Sequence, residues 1–168
     1  PLGGLMMQTR AGDLDPGIVQ EVLREGMSLA ALDQVLNHES GVKALAGEAD
    51  MMTVAERSRR GDADAAFARE AYAYRVAHYV GAYAGLAWPL DALVFTGGIG
   101  ENDAELRSAV IELLPQLGFK VDGVANNNGS AAPVRSVRAM AAGPELLVVR
   151  ADEELQIARE TVSVLRTA

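Results

Sequence analysis

The segment with the most chemical information is a glycine-rich turn that follows a short apolar run. Residues 92–95 predict a buried strand, three glycines lie within residues 97–100, and a helix is predicted to open at Asn102. Asn102 would be the N-cap of that helix, and Glu105 would complete a capping box. Bare backbone at a helix N-terminus can bind an anion. The turn therefore predicts a nucleotide or phosphate cradle, and the alternative is a tight structural turn in a parallel sheet.

Arg10 is a second candidate, because it lies at the end of a strand predicted over residues 5–9. Ligands of open α/β sheets bind at the carboxyl ends of strands. A guanidinium there can bind phosphate oxygens through two hydrogen bonds and stabilise the charge of a phosphoryl group in transfer. The alternative is a surface salt bridge from Arg10 to Asp13 or Asp15.

The elements that must position these residues alternate between helices and strands. Asp15 and Ser28 are predicted N-caps of two helices, with Pro16 opening the first and Gly26 ending it. Residues 41–60 are predicted to be irregular. Further helices are predicted over residues 64–86, 103–114 and 152–165, further strands over 118–121, 133–137 and 146–150, and a turn over 126–130. This alternation predicts an α/β domain with a mixed sheet.

The long helix over residues 64–86 has one face that carries Phe67, Ala71, Tyr74, His78 and Gly81. A helix face that combines small and aromatic residues can pack closely against a sheet or against a second subunit. Ordinary core packing is the alternative.

Composition restricts the classes of partner. The 168 residues indicate one domain, and 15 Lys and Arg against 23 Asp and Glu give a net charge of −8, which argues against nucleic-acid binding. No run of about 18 uncharged apolar residues predicts a membrane span. The absence of cysteine excludes disulfides, thiolate catalysis and cysteine-ligated zinc. We expect a cytoplasmic chain and, since it opens with Pro1, part of a longer protein.

Two motifs resemble one enzyme family. Residues 95–102, Phe-Thr-Gly-Gly-Ile-Gly-Glu-Asn, look like the signature of the acetate kinases. Residues 4–17 resemble that family's threonine-arginine-(small)-glycine-aspartate-x-aspartate-proline segment. The resemblance runs over essentially the whole chain and matches the C-terminal part of such an enzyme. It implies a ribonuclease-H-like lobe of the sugar-kinase, actin and chaperone-ATPase superfamily, with a mixed sheet flanked by helices over residues 1–168.

The resemblance also implies an activity: reversible transfer of the ATP γ-phosphoryl group to acetate, giving acetyl phosphate and ADP, with Mg²⁺ as the metal. It implies a homodimer that associates through the C-terminal lobe. The acyl pocket, a catalytic aspartate and histidine, and a second arginine belong to the family's N-terminal half, so we expect the isolated chain to be inactive. The alternatives are a propionate or butyrate kinase with the same mechanism, and a non-catalytic dimerisation module without useful nucleotide affinity.

The family's functional residues map onto positions of this sequence. Arg10 matches a transition-state stabiliser, and Asp50 falls where the family has an aspartate near the ribose. Glu153, the first glutamate of a Glu-Glu-Leu segment, matches a residue that helps to hold Mg²⁺, and by pattern alone it could instead stabilise a helix dipole. The nucleotide-contacting segment comprises Gly98, Ile99, Gly100, Glu101 and Asn102. The sequence departs from the family at Gln8, where a glycine is usual, and at Met52, where an arginine is usual.

Overall fold

The computed structural model describes residues 2–87, 89–129, 132–140 and 142–167. Within them, the chain divides into two compact units, the first within residues 1–90 and 105–118 and the second within residues 91–104 and 119–168. The elements in chain order are α1 (Pro16–Arg24), α2 (Leu29–His38), α3 (Gly41–Ala46), α4 (Met51–Arg59), α5 (Ala63–Ala84), β1 (Ala92–Phe95), α6 (Gly97–Asn102), α7 (Ala104–Glu112), a 3-10 turn (Pro115–Leu117), α8 (Gly123–Asn127), β2 (Val134–Ser136), β3 (Glu145–Val149) and α9 (Glu153–Thr167).

The first two helices begin at the predicted caps. Asp15 accepts a hydrogen bond from the Gly17 amide at 2.8 Å, and Pro16 is the first residue of α1. The Ser28 hydroxyl accepts a hydrogen bond from the Ala31 amide at 3.2 Å, which opens α2. Because side-chain caps satisfy amides that a helix leaves without partners, these two starts could be located from the sequence.

Residues 41–60 contain two helices, so the prediction of irregular structure there is wrong apart from the short connection over 47–50. They form α3 and α4, which pack against α5. Val42 and Val54 are fully buried, and Ala46 and Met51 are nearly so. Each helix is too short to show a clear 3.6-residue repeat, and tertiary burial stabilises it instead.

Helix α5 is the predicted long helix, but it packs through a different face. The buried residues are alanines on one side of it, Ala65, Ala68, Ala73 and Ala77. Phe67 and Tyr74 are 57% and 58% exposed, and His78 is exposed as well. The aromatic face is therefore not packed in the core, and that prediction is wrong. The helix packs through its alanines instead, and these small side chains allow α3 and α4 to approach it closely.

The second unit contains the predicted mixed sheet, with strand order β1-β3-β2. Strands β1 and β3 are parallel, with Phe95 beside Val148, and β2 runs antiparallel to β3, with Val134 beside Val149. Leu146 is fully buried in its centre. The α/β class with a mixed sheet is thus confirmed.

Two smaller predictions in this unit are wrong. The predicted strand over residues 118–121 is reduced to a single bridge between Val121 and Arg138. The predicted turn over 126–130 is wrong at Asn126 and Asn127, which are the last two residues of the short helix α8, capped by Asp122 through the amides of Val124 and Ala125. Asn128 and Gly129 belong to no helix or strand, and Ser130 lies outside the described residues. Among the helices of residues 2–87, 89–129, 132–140 and 142–167, none has the length and apolar character needed to cross a membrane.

Candidate functional site

The glycine-rich turn follows β1 directly, and the chain becomes helical earlier than predicted. Gly97 opens α6 with a φ of +74°, which L side chains rarely adopt, so the backbone turns immediately after the strand. The predicted N-cap role of Asn102 is wrong, because Asn102 is the last residue of α6 and its side-chain amide donates to the Gly98 carbonyl at 2.8 Å.

Glu105 does not complete a capping box, so that prediction is also wrong. Its carboxylate accepts hydrogen bonds from Arg59 at 3.0 Å and from Arg69 at 3.3 Å. Arg69 is 9% exposed, so Glu105 pairs with a buried cation and serves the helical packing of the first unit.

The glycines within α6 serve different purposes. An ideal Cβ on Gly98 would meet no heavy atom within 4 Å, so this exposed position faces open space. A Cβ on Gly100 would lie 3.4 Å from the Phe95 carbonyl carbon, so Gly100 lets α6 pack closely on the end of β1. The backbone at Gly98 is therefore open, and a side chain there would occupy that space.

Glu101 fills part of the predicted anion cradle with its own carboxylate. Its Oε1 atom accepts a hydrogen bond from the Gly97 amide at 2.9 Å and a second from the Ala151 amide at 2.8 Å. The expectation of bare amides at this turn is therefore wrong for Gly97. Glu101 instead connects the start of α6 to the segment between β3 and α9, and its predicted nucleotide contact stays a prediction.

Glu153 begins α9, two residues beyond the amide that Glu101 binds. Because β1 and β3 are parallel neighbours, the segments that follow their carboxyl ends meet at one edge of the sheet. The capping bond of α9 comes from Asp152, which accepts from the Leu155 amide at 3.1 Å. The Glu153 side chain is exposed and makes no hydrogen bond or ion pair with any described residue.

The donor set in this chain is consistent with Mg²⁺ but does not complete a metal site. The described residues contain no group of three or more His, Asp or Glu side chains that could hold a metal ion. Mg²⁺ keeps several waters and takes one or two carboxylates together with substrate phosphates. The Glu153 carboxylate, which has no partner among the described residues, fits that pattern.

Arg10 lies in a loop over residues 4–13, and the predicted strand over residues 5–9 is wrong. The carbonyls of Met7, Gln8 and Thr9 accept hydrogen bonds from the amides of Val42, Lys43 and Ser40 at 2.9–3.0 Å. These donors flank or belong to the first turn of α3, which has no intrahelical acceptors for them. The carbonyls of the loop therefore satisfy a helix end rather than a neighbouring strand.

The Arg10 guanidinium is available for an anion. The alternative, a salt bridge to Asp13 or Asp15, is wrong, because Asp13 binds Arg75, Tyr79 and the Gly4 amide while Asp15 caps α1. Arg10 is half-buried, and its side chain forms no hydrogen bond or ion pair within the described part of the chain. Such a group can bind two phosphate oxygens at once.

Asp50 is the N-cap of α4. Its Oδ2 atom accepts hydrogen bonds from the Thr53 hydroxyl at 2.7 Å and the Thr53 amide at 3.0 Å. The hydroxyl, followed by the amide, holds the pKa of Asp50 below its ordinary value. Met52 is 71% exposed on the same turn of α4. The structure thus gives Asp50 a capping role, and its ribose contact stays a prediction.

The predicted site residues are divided between the two units. Arg10 and Asp50 belong to the first unit, and the segment Gly98–Asn102 and Glu153 belong to the second. Within the second unit, the structure brings the glycine segment and the start of α9 together through Glu101. Sequence reasoning missed Asp13, whose three donors are described above; its place in the Arg-Ala-Gly-Asp motif was the available signal.

Comparisons with known proteins agree with both motifs. The family model described as the acetokinase family matches residues 1–159. Acetate kinase from Arthrobacter sp. is 45% identical over 168 residues, which are 100% of this chain and 43% of that protein. Acetate kinase from Leifsonia xyli is 41% identical over 167 residues, covering 98% of this chain and 42% of that protein. The chain therefore spans about two-fifths of the length of the curated relatives it matches.

Solved structures give the same result for the fold. The crystal structure of Porphyromonas gingivalis acetate kinase matches with a TM-score of 0.87 and 35% identity, over 98% of this chain and 42% of that one. A propionate kinase from Francisella tularensis matches with a TM-score of 0.87 and 38% identity, over 95% of this chain and 41% of that one. These neighbours confirm the expected ribonuclease-H-like α/β lobe.

Proposed function

The chain belongs to the acetokinase family, and from that membership we propose that it is the C-terminal, nucleotide-binding lobe of a cytoplasmic ATP:acetate phosphotransferase. The reaction is reversible transfer of the ATP γ-phosphoryl group to acetate, which gives acetyl phosphate and ADP. The chain's residues bind and orient the nucleotide, and Arg10 stabilises the charge of the phosphoryl group in transfer.

One observation carries this proposal: a single carboxylate oxygen of Glu101 binds the amides of Gly97 and Ala151, at 2.9 and 2.8 Å. It supports a shared site because it fixes the open position at Gly98 relative to the start of α9, where Glu153 lies. Mg²⁺, when bound with the nucleotide, neutralises charge on the phosphates. Glu153 would hold it through its free carboxylate.

The test is calorimetric titration of the 168-residue chain with Mg²⁺-ADP. We expect saturable binding that Gly98→Val weakens at least about tenfold, because the valine side chain occupies the open space that the ligand needs. Gly123→Val is the matched control, since Gly123 is also an exposed helical glycine whose Cβ would meet nothing within 4 Å. Equal loss of binding in both variants, or no loss in Gly98→Val, would contradict the assignment.

The metal assignment is tested in the same titration. Chelation of Mg²⁺ is expected to weaken ADP binding to the parent chain, and Glu153→Gln is expected to remove most of that Mg²⁺ dependence. Glu154→Gln is the control, because Glu154 is exposed in the same first turn of α9. An unchanged Mg²⁺ dependence in Glu153→Gln would remove Glu153 from the metal site.

Two other functions remain candidates on specific observations. The likeness to a propionate kinase supports a longer acyl substrate with the same mechanism. The exposed Met52, which stands where an arginine is usual, supports a non-catalytic dimerisation module, since a thioether cannot replace the bonds of a guanidinium. A folded chain that does not bind Mg²⁺-ADP would favour the dimerisation module.

A further inference from the structure

The loop over residues 4–13 that carries Arg10 is fastened at two places within the first unit. The first is the start of α3, where the amides of Ser40, Val42 and Lys43 bind loop carbonyls. The second is α5, which contacts the loop through Asp13. Arg10 lies between the two attachments in a segment without regular secondary structure.

The Asp13 carboxylate uses one oxygen within the loop and the other for the attachment to α5. Oδ1 accepts a hydrogen bond from the Gly4 amide at 2.6 Å, and the Asp13 amide returns one to the Gly4 carbonyl at 3.0 Å. Oδ2 accepts hydrogen bonds from Arg75 at 2.8 Å and from the Tyr79 hydroxyl. The carboxylate therefore closes the loop upon itself and ties the closed loop to α5.

The two donors on α5 orient one another. They lie one turn apart, and the Arg75 guanidinium stands over the Tyr79 ring at 5.6 Å from its centroid. The Asp13 side chain is 47% exposed, so solvent screens this ion pair and its contribution to stability is small. The geometric effect is larger, because three donors on one carboxylate leave it a single orientation. The lowered pKa of Asp13, caused first by the Tyr79 hydrogen bond, agrees with that arrangement.

We propose that Arg75 and Tyr79 are positioning residues for Arg10, which they act on through Asp13. This inference rests on the proposed function, in which Arg10 binds the phosphoryl group. A guanidinium that must meet two oxygens of a transferring group loses much of its effect when displaced by about 1 Å, so the attachment to α5 matters for rate more than for stability. Neither residue touches substrate in this proposal.

The first test measures amide hydrogen exchange by NMR on the 168-residue chain. In Arg75→Met and in Tyr79→Phe, we expect the amides of Gly4 and Asp13 to exchange about five to ten times faster, as expected for one lost hydrogen bond. The Val54 amide, in α4, should not change. Tyr83→Phe is the matched control, because Tyr83 lies one turn further along α5 and is 63% exposed. Parent-like exchange of the loop in both variants would overturn the proposal.

The second test measures catalysis in a chimera in which this chain replaces the matching 43% of the Arthrobacter sp. acetate kinase. Arg75→Met and Tyr79→Phe are expected to lower kcat about tenfold with little change in the KM for ATP. In an Arg10→Ala background, neither should lower kcat further. Tyr83→Phe should leave kcat unchanged.

The two tests separate this inference from the proposed function. If Arg10→Ala lowers kcat while Arg75→Met and Tyr79→Phe do not, the positioning role is wrong and the function of Arg10 stands. If Arg10→Ala leaves kcat at the parent value, the proposed function of Arg10 is wrong, whatever the loop exchange shows.

Discussion

At the scale of single residues, several carboxylates of this chain bind backbone amides. Asp15, Asp50 and Asp122 cap helices. Glu101 binds the amides of two segments, and Asp13 binds one amide together with two side chains. Glu153 differs from these because it has no partner among the described residues. A carboxylate without a protein partner can bind Mg²⁺ together with phosphates and water, as the proposed role of Glu153 needs.

The bonds to Asp13 predict a pH dependence of stability. The Tyr79 hydroxyl, then the Gly4 amide and Arg75, lower the pKa of Asp13. Their stabilisation is therefore present above the unfolded pKa of about 3.9 and is lost as pH falls through the lower folded pKa. The same bond to Asp13 raises the pKa of Tyr79. Its stabilisation is present below the unfolded pKa of about 10 and is lost as pH rises through the higher folded pKa.

We therefore expect Tyr79→Phe to unfold at a lower urea concentration than the parent chain between about pH 5 and pH 9. The difference should shrink as the pH falls below about 4, because protonated Asp13 no longer accepts these bonds as an anion. Urea titrations across this range, with Tyr83→Phe as the control, measure it. A difference that stays constant down to full protonation of Asp13 would show that Tyr79 acts by packing alone.

At the scale of elements, the start of α3 organises the loop that carries Arg10. Gly41, the first residue of α3, has a φ of +65°. A Cβ on it would collide with the Met7 carbonyl oxygen and lie 2.6 Å from the Arg10 carbonyl oxygen. The loop and the helix therefore approach each other at a position that tolerates no side chain.

Gly41→Ala is expected to destabilise the chain by about 2 to 5 kcal/mol, the sum of the backbone strain and the steric displacement. Gly47→Ala is the matched control, since Gly47 has a φ of +69° at the other end of α3 but open space around its Cβ. Gly47→Ala should lower the free energy of unfolding by the backbone strain alone, about 1 to 2 kcal/mol. Urea unfolding of both variants measures the difference. Equal costs would mean that the loop moves away from α3 easily.

The sheet shows how elements bring distant motifs together. Residues 92–95 were predicted as a strand from their apolar run, and so were residues 146–150. That the two strands are adjacent and parallel is a property of the folded sheet. The adjacency places the segments after both strands at one edge, which is why Glu101 reaches the Ala151 amide.

At the scale of the whole molecule, each of the two units carries part of the predicted machinery. The first unit holds Arg10 and its supporting network, and the second holds the glycine segment and Glu153. The chain also spans about two-fifths of its curated relatives. Under the proposed function, turnover needs the further residues that the family places in its N-terminal half, so we expect the isolated chain to bind nucleotide without catalysing phosphoryl transfer.

We propose that the chain forms the homodimer that the family resemblance implies, and that the exposed aromatic face of α5 is its contact surface. Phe67 and Tyr74 line a groove of about 770 Å³ in the first unit, together with Leu113. Exposed aromatic residues beside an apolar groove are typical of protein interfaces. The buried alanines of α5 lie on a different side of the helix, and Phe67 and Tyr74 are each more than half exposed.

Tyr74→Glu is expected to weaken dimerisation at least about 30-fold, because a two-fold interface would receive the new charge from both copies. Sedimentation equilibrium of the 168-residue chain measures the association. Leu29→Glu is the control, since Leu29 is 72% exposed on α2, away from this groove. A monomeric parent chain, or a dimer that Tyr74→Glu leaves intact, would contradict this surface.

The sequence by itself determined the features that depend on neighbouring residues. Asp15, Pro16 and Ser28 located helix starts, because a cap acts within three residues. The long helix α5 and the strand β1 were also predicted from the residues within them. The two motifs identified the family because they are unbroken stretches of chain.

The tertiary structure alone decided which partner each polar group found. Asp13 meets Tyr79 across 66 positions, and Glu101 meets Ala151 across 50. Residues 5–9 were predicted as a strand, yet the carbonyls of Met7, Gln8 and Thr9 accept hydrogen bonds from amides at the start of α3, which have no acceptor within the helix. Asn102 is a good cap by type, but a glycine that accepts a positive φ starts the helix five residues earlier. Hydrogen bonds formed over such separations depend on the packed fold, and local sequence patterns do not specify them.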